Sequence, residues 1–211
     1  MQAVIDYFAN DGAEWLRMVL EHIEVSALAL ALAILVAVPV GVLVSRSALA
    51  EKVATNVAGV FRIVPSLAVL VICVPFLGVG TLPAVVALTV LAIPPILINT
   101  ALAFRSVPAD VVEAAVGMGM GPARLFLTVK APLAFPVAFA GVRTAAIEVI
   151  ASATLAAYIG AGGLGVLIYT GIGALRSDLL WIGGLSVAAL SLAAGALLSC
   201  IDRRVRRYER V

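Results

Sequence analysis

The sequence predicts an all-α, polytopic membrane protein with about five transmembrane helices, and three observations carry that expectation. Of its 211 residues, 64% are hydrophobic and 12% charged, about half the charge of an average soluble domain. Val25–Val44 holds no charged residue over a length that crosses about 30 Å of hydrocarbon at about 1.5 Å per residue. None falls between Arg62 and Arg105 either, a stretch worth about 63 Å of helix and about twice a bilayer core. A soluble fold of this size has no interior able to hide so much apolar chain.

Taken in order, residues 1–24 form an extracytoplasmic N-terminal segment. It carries Asp6, Asp11, Glu14, Glu21 and Glu24 against one Arg17, the reverse of a signal peptide's basic start. Trp15, Leu16, Val19, Leu20 and Ile23 recur at helical spacing. That fits an interfacial helix leading into the first span, and equally the first turns of an ordinary helix. Residues 25–201 are the transmembrane domain, with spans at about 25–44, 54–77, 83–104, 133–157 and 179–201. Gly78-Val79-Gly80-Thr81 followed by Pro83 is a turn signal that splits the long apolar stretch into a hairpin. Pro39, Pro65, Pro75, Pro94 and Pro95 fall inside spans, where neighbouring helices and hydroxyl side chains can satisfy the freed carbonyls. Segment 105–131, with Arg105, Asp110, Glu113, Arg124 and Lys130, is the one long charged loop between spans. Residues 202–211 form a basic cytoplasmic tail carrying Arg203, Arg204, Arg206, Arg207 and Arg210.

Five spans place the chain's ends on opposite sides. With the tail inside, Arg46, Lys52, Arg105, Arg124, Lys130 and the tail arginines are cytoplasmic, ten basic residues against Arg17 and Arg176 outside. Arg62 and Arg143 fall within spans, Arg62 near enough to the inner end to snorkel. The asymmetry sets the N-terminus out and the C-terminus in. Beside a span, the basic tail faces anionic membrane lipid, not nucleic acid.

Cys73 and Cys200 form no C-x-x-C pair and His22 is the only histidine, so neither a redox motif nor a multi-histidine metal site is indicated. Lys52 and Lys130 are the only lysines and neither follows glycine, which excludes a G-x-x-x-x-G-K-[ST] phosphate loop. Any ATP chemistry belongs to another polypeptide.

The most informative motif lies in the charged loop. It reads Glu113-Ala114-Ala115-Val116-Gly117-Met118-Gly119 and, after nine further residues, Val129-Lys130-Ala131-Pro132. Pro108 suits the first turn of a short helix, and Asp110 favours its positive N-terminal end. Ala114 and Ala115 make a face low enough to seat in a groove, Glu113 offers a charged anchor, and Gly119 and Gly121 end the helix and let the chain turn back. The pattern resembles the E-A-A-x-x-x-G-x9-I-x-L-P signature of binding-protein-dependent ABC importer permeases, with Val129 for isoleucine and Ala131 for leucine. In that family the loop is cytoplasmic, and its short helix couples the permease to its ATPase. The resemblance implies ATPase-coupling roles for Glu113, Ala114, Ala115 and Gly119.

A wider resemblance covers roughly residues 25–175. Val64-Pro65-Ser66-Leu67-Ala68, Gly78 to Pro83, Glu113 to Gly121, Gly141-Val142-Arg143-Thr144-Ala145 and Ala153 to Gly165 are similar to the osmoprotectant branch. Those permeases serve importers of quaternary ammonium compounds such as glycine betaine, choline and carnitine. The likeness implies a type I importer fold and a second permease, either another copy or a paralogue. It also implies two ATPase subunits that bind the ATP and magnesium, an extracytoplasmic substrate-binding protein, and no cofactor or catalytic residue in this chain. An importer for an amino acid or a betaine-like thione is the alternative within the class. Gly160 to Gly165 also matches G-x-G-x-x-G, but a membrane helix precedes it where the dinucleotide motif needs a strand. Close backbone packing at the mouth of the pathway is the better account.

Arg143 and Glu148 lie deep in the fourth span, where an unpaired charge costs about 2.5–3.5 kcal/mol on insertion scales. Their spacing sets them about 140° apart on a helix, so they do not pair within it. Each is either satisfied structurally across the bundle or lines the translocation path. The family pattern usually has no acidic residue at the position of Glu148. An integral membrane enzyme would need converging polar groups at one depth, and only these two are deeply placed; a channel would have no need of the Glu113 helix.

Overall fold

The computed structural model describes residues 2–205, and among them every regular element is helical. The first helix, α1 (Gln2–Val44), is followed by α2 (Ala48–Phe61), α3 (Ser66–Leu77), α4 (Thr81–Arg105) and α5 (Ala109–Gly117). Then come α6 (Pro122–Leu125), a π-helical turn (Phe126–Lys130), α7 (Ala131–Ala156), a 3-10 turn (Ala157–Ile159), α8 (Gly165–Gly173) and α9 (Ser177–Val205). Four helical stretches are long and apolar enough to cross a membrane, and α2 with α3 supplies a fifth if that bent pair counts as one span. The part of the basic tail from Arg206 onward lies outside the described residues.

α4 is the centre of the bundle, packed along its length between α1 and α7, with α2 and α3 against another side; α9 closes on α7 and α8. Small residues make these close crossings possible, as lipid-embedded helices require. Ala29, Ala33 and Ala37 recur every fourth residue on α1 and are fully buried, and Gly41 continues the stripe. A Cβ on Gly41 would stand 2.7 Å from the Thr100 Cβ; one on Gly141 of α7 would stand 2.6 Å from the Asn99 Cβ and 2.7 Å from the Pro95 carbonyl. Hydroxyl and amide side chains return their hydrogens to helix carbonyls: Thr89 Oγ1 donates to Val85 O at 2.7 Å and Asn99 Nδ2 to Pro95 O at 2.8 Å. The prolines of α1 and α4 sit in unbroken helices.

Pro65 behaves differently, and it corrects the expected continuous span over 54–77. The helix stops at Phe61, Pro65 is extended (φ −58°, ψ 131°), and α3 leaves at 88° to α2. The residue before a proline is steered away from the helical region, so the chain at Val64 cannot carry α2 onward. At the N-terminus, α1 runs unbroken from Gln2, so of the two readings of Trp15 to Ile23 the turns of an ordinary long helix agree with the structure. Trp15 Nε1 donates to Ser186 Oγ of α9 at 2.9 Å.

Candidate functional site

The charged segment 105–131 is not a loop but a run of short helices. In α5, Asp110 occupies the first turn, Glu113 and Ala114 are exposed, and Ala115 is buried against the rest of the segment. Gly119 ends it in the left-handed region at φ +81°. Its N–H donates to Val116 O at 2.9 Å, and the Met120 N–H donates to Ala115 O at 3.2 Å, the paired bonds of a Schellman turn. Gly121, in contrast, is extended (φ −70°, ψ 162°) and only precedes α6. The helix carries the apolar side chains of Val111 and Val116 on its open surface, and Met118 projects just beyond its end.

Downstream the chain is helical without interruption from Pro122 through the π turn into α7. Phe126 of the π turn stacks on Phe104 at the end of α4, ring centroids 5.5 Å apart and nearly parallel. A cavity of about 400 Å³ opens here, lined by Arg46, Phe104, Phe126 and Lys130 among others. Glu51 and Arg105 pair at 3.5 Å, joining the start of α2 to the end of α4.

Turns that join the helices at the opposite end also meet. The Gly80 N–H donates to Ile159 O at 2.7 Å, and the Gly163 N–H donates to the Glu21 carboxylate at 3.0 Å. His22, buried, donates through Nε2–H to Ile150 O at 2.9 Å, which binds α1 to α7. Gly160, Gly162 and Gly163 all have φ near +80°. A Cβ on Gly162 would stand 2.6 Å from Glu21 Oε2, and one on Gly165 would collide with the Thr154 carbonyl. The G-x-G-x-x-G glycines thus pack loop against helix, and no strand precedes them. Nearby, Arg176 pairs with Asp178, and that hydrogen bond raises the guanidinium's pKa.

Arg143 and Glu148 are not brought together. Arg143 reaches across to α9, where its Nη1–H donates to Ser199 Oγ at 3.1 Å and Ser199 in turn donates to Gly195 O at 2.7 Å. Glu148 meets Arg62, whose Nη2–H donates to Oε1 at 2.9 Å from the α2–α3 bend. Seventeen residues beyond the start of α7, Glu148 sits about 26 Å along the helix. Arg62 meets it at that level of the bundle. The pair borders a cavity of about 330 Å³ whose wall includes Phe61, Ser66, Leu91 and Val149. Both side chains remain about half exposed in the single chain, 47% for Arg62 and 41% for Glu148. Among the described residues no group of three histidine, cysteine or acidic side chains could hold a metal ion.

Set beside known proteins, the chain matches the family described as binding-protein-dependent transport system inner membrane component over residues 12–207. It is 42% identical to the carnitine transport permease protein OpuCB of Listeria monocytogenes, across 97% of this chain and 94% of that protein. Two proteins of Bacillus subtilis (strain 168) match with the same coverage of both chains. The choline transport system permease protein OpuBB is 37% identical, and the glycine betaine/carnitine/choline transport system permease protein OpuCB is 35% identical. The fold is that of type I ABC importer permeases: an inward-facing MetNI methionine ABC transporter superimposes with a TM-score of 0.80 at 24% identity, covering 90% of this chain and 95% of that one.

Proposed function

The chain belongs to the family of binding-protein-dependent transport system inner membrane components, and on that premise we propose that it is the permease subunit of an ATP-driven importer for small quaternary ammonium solutes such as glycine betaine, choline or carnitine. The observation that carries this reading is the near full-length match to permease proteins of carnitine and choline transport systems. It is a multi-pass inner-membrane subunit. In the proposed assembly it pairs with a second permease, a further copy or a paralogue. Two ATPase subunits bind ATP and magnesium, and an extracytoplasmic binding protein delivers the solute. Supplying ATP hydrolysis in trans agrees with a sequence that has no phosphate loop. The N-terminus faces out and the C-terminus in. Support for that orientation comes from the gathering of Arg46, Arg105 and Lys130 at one end of the bundle, opposite Glu21 and the Gly160–Gly165 turn.

Glu113, Ala114, Ala115 and Gly119 form the ATPase-coupling element in this proposal. A short helix with an exposed carboxylate and exposed Val116, joined directly to the spanning helices, is the form such an element needs. Glu148 borders the path, whereas Arg143 is held by α9. The test is uptake into vesicles holding the permease with its ATPase and binding protein. Glycine betaine, choline and carnitine are to be taken up only with ATP, and Glu113→Lys is to abolish uptake while membrane insertion stays normal. Uptake of an amino acid but none of the three would favour the alternative substrate class. Flux without the ATPase would replace the permease assignment by a channel.

A further inference from the structure

A carboxylate and a guanidinium at one level inside a membrane bundle, half exposed and bordering a cavity, pose a physical question. Neither can face hydrocarbon without a penalty of a few kcal/mol. The surface they share therefore meets water, protein or solute. Arg62 stands where α2 ends, and Ser66 begins α3 on the same cavity wall, so the α3 N–H groups left free at its first turn add positive character beside the guanidinium. Glu148 brings the negative charge from α7, and Phe61, Leu91 and Val149 add apolar surface beside Ser66 and Ser152.

We propose that this cavity is a solute contact point for zwitterions, in which Glu148 takes a quaternary ammonium group and Arg62 takes a carboxylate. The assignment rests on the permease reading and names the chemistry of one point on its path. The two residues satisfy each other at 2.9 Å. A solute carrying both charges replaces that one pair by two, so no charge is stranded when the protein pair opens. A pure cation satisfies Glu148 but leaves Arg62 without a counter-charge, and a pure anion does the reverse. The pair therefore discriminates between a betaine and choline, although both carry the same trimethylammonium head. The apolar part of the wall suits that head, which has no N–H or O–H to donate, and Phe61 adds an aromatic side chain to it.

The experiment uses the assembled importer with Cys73 and Cys200 replaced and one new cysteine, Ser66→Cys, on the cavity wall. The rate of its alkylation by N-ethylmaleimide is measured with glycine betaine, choline or acetate present. Glycine betaine is expected to protect at about tenfold lower concentration than either singly charged solute. Arg62→Gln should erase that advantage and let choline protect as well as the betaine. Glu148→Gln should abolish protection by choline and let acetate protect as well as the betaine. Equal protection by all three solutes, or by none, overturns the assignment, as do variants that keep the parent's order. Where a variant fails to assemble, the parent's order among the three solutes decides. Labelling needs no transport, so a chain that imports none of these solutes fails in the uptake assay and not here.

Discussion

Two glycines lie two residues apart at the end of α5, and replacing each by alanine should act in opposite directions. Gly119 holds φ +81°, and nothing lies within 4 Å of a Cβ built on it. Gly119→Ala therefore causes no collision and meets only the cost of placing an L-residue in the left-handed region, about 1–2 kcal/mol. That reduces the population of the closed turn by a factor of about 5–30. Gly117 is the last helical residue, also with open space around its Cβ and no positive φ. Gly117→Ala gains up to about 0.8–1.0 kcal/mol of helix propensity. The direct assay is amide exchange in the assembled complex at Met120, whose N–H bonds to Ala115 O. Exchange should quicken in Gly119→Ala and stay level or slow in Gly117→Ala, with both proteins inserting normally. ATP-dependent uptake should fall in the first and hold in the second. Equal exchange in the two variants would refute the turn's role in fixing α5.

Two further outcomes are expected. In a background without Cys73 and Cys200, Gly117→Cys should react with an impermeant maleimide only after the membrane is opened; reaction in intact cells reverses the orientation. Gly141→Ala should lower the complex's Tm, because its Cβ would stand 2.6 Å from Asn99 Cβ and overpacking of this kind costs about 1–3 kcal/mol. Gly184→Ala, with nothing within 4 Å, is the control, and an equal effect in both would remove the close-crossing account.

What the sequence made legible was whatever local chemistry sets. Charge gaps located the apolar segments, and Asp110, Glu113 and Gly119 take up helix-start, exposed and helix-end positions because capping and turn rules act over a few residues. The 88° break was not read, since hydropathy measures apolar length and is indifferent to direction. Proline alone could not reveal it: of the five prolines in the predicted spans, Pro39, Pro75, Pro94 and Pro95 stay within continuous helices and Pro65 alone precedes a new one. The partner of Glu148 was out of reach for a different reason. Arg62 is 86 residues away, and the contact exists only because the bend turns α2's end toward α7. The Ala29-Ala33-Ala37-Gly41 stripe did have a signal, small residues at every fourth position.

The same tight crossing gives the proposed coupling a mechanical form. From Pro122 to Ala156 the chain is helical throughout, so a displacement of α5 enters it through the Gly119 turn and α6. At Gly141, α7 crosses α4 with no room for even a methyl group, and in this proposal that contact serves as a fulcrum. Lys130 lies about 16 Å before that point and Glu148 about 10 Å beyond it, by the rise per residue. A sideways push on the Lys130 end is then delivered at Glu148 in the opposite direction at about two-thirds of its size. The proposal requires Arg62, just past the end of α2, to move less than Glu148. A movement of about 2 Å near the π turn thus draws Glu148 about 1.3 Å away, enough to lengthen a 2.9 Å ion pair beyond hydrogen-bond reach. The π turn sits between α5 and this crossing. On this proposal, the Arg62–Glu148 pair opens when the Glu113 helix is moved, and a solute bearing both charges is the one best able to take its place.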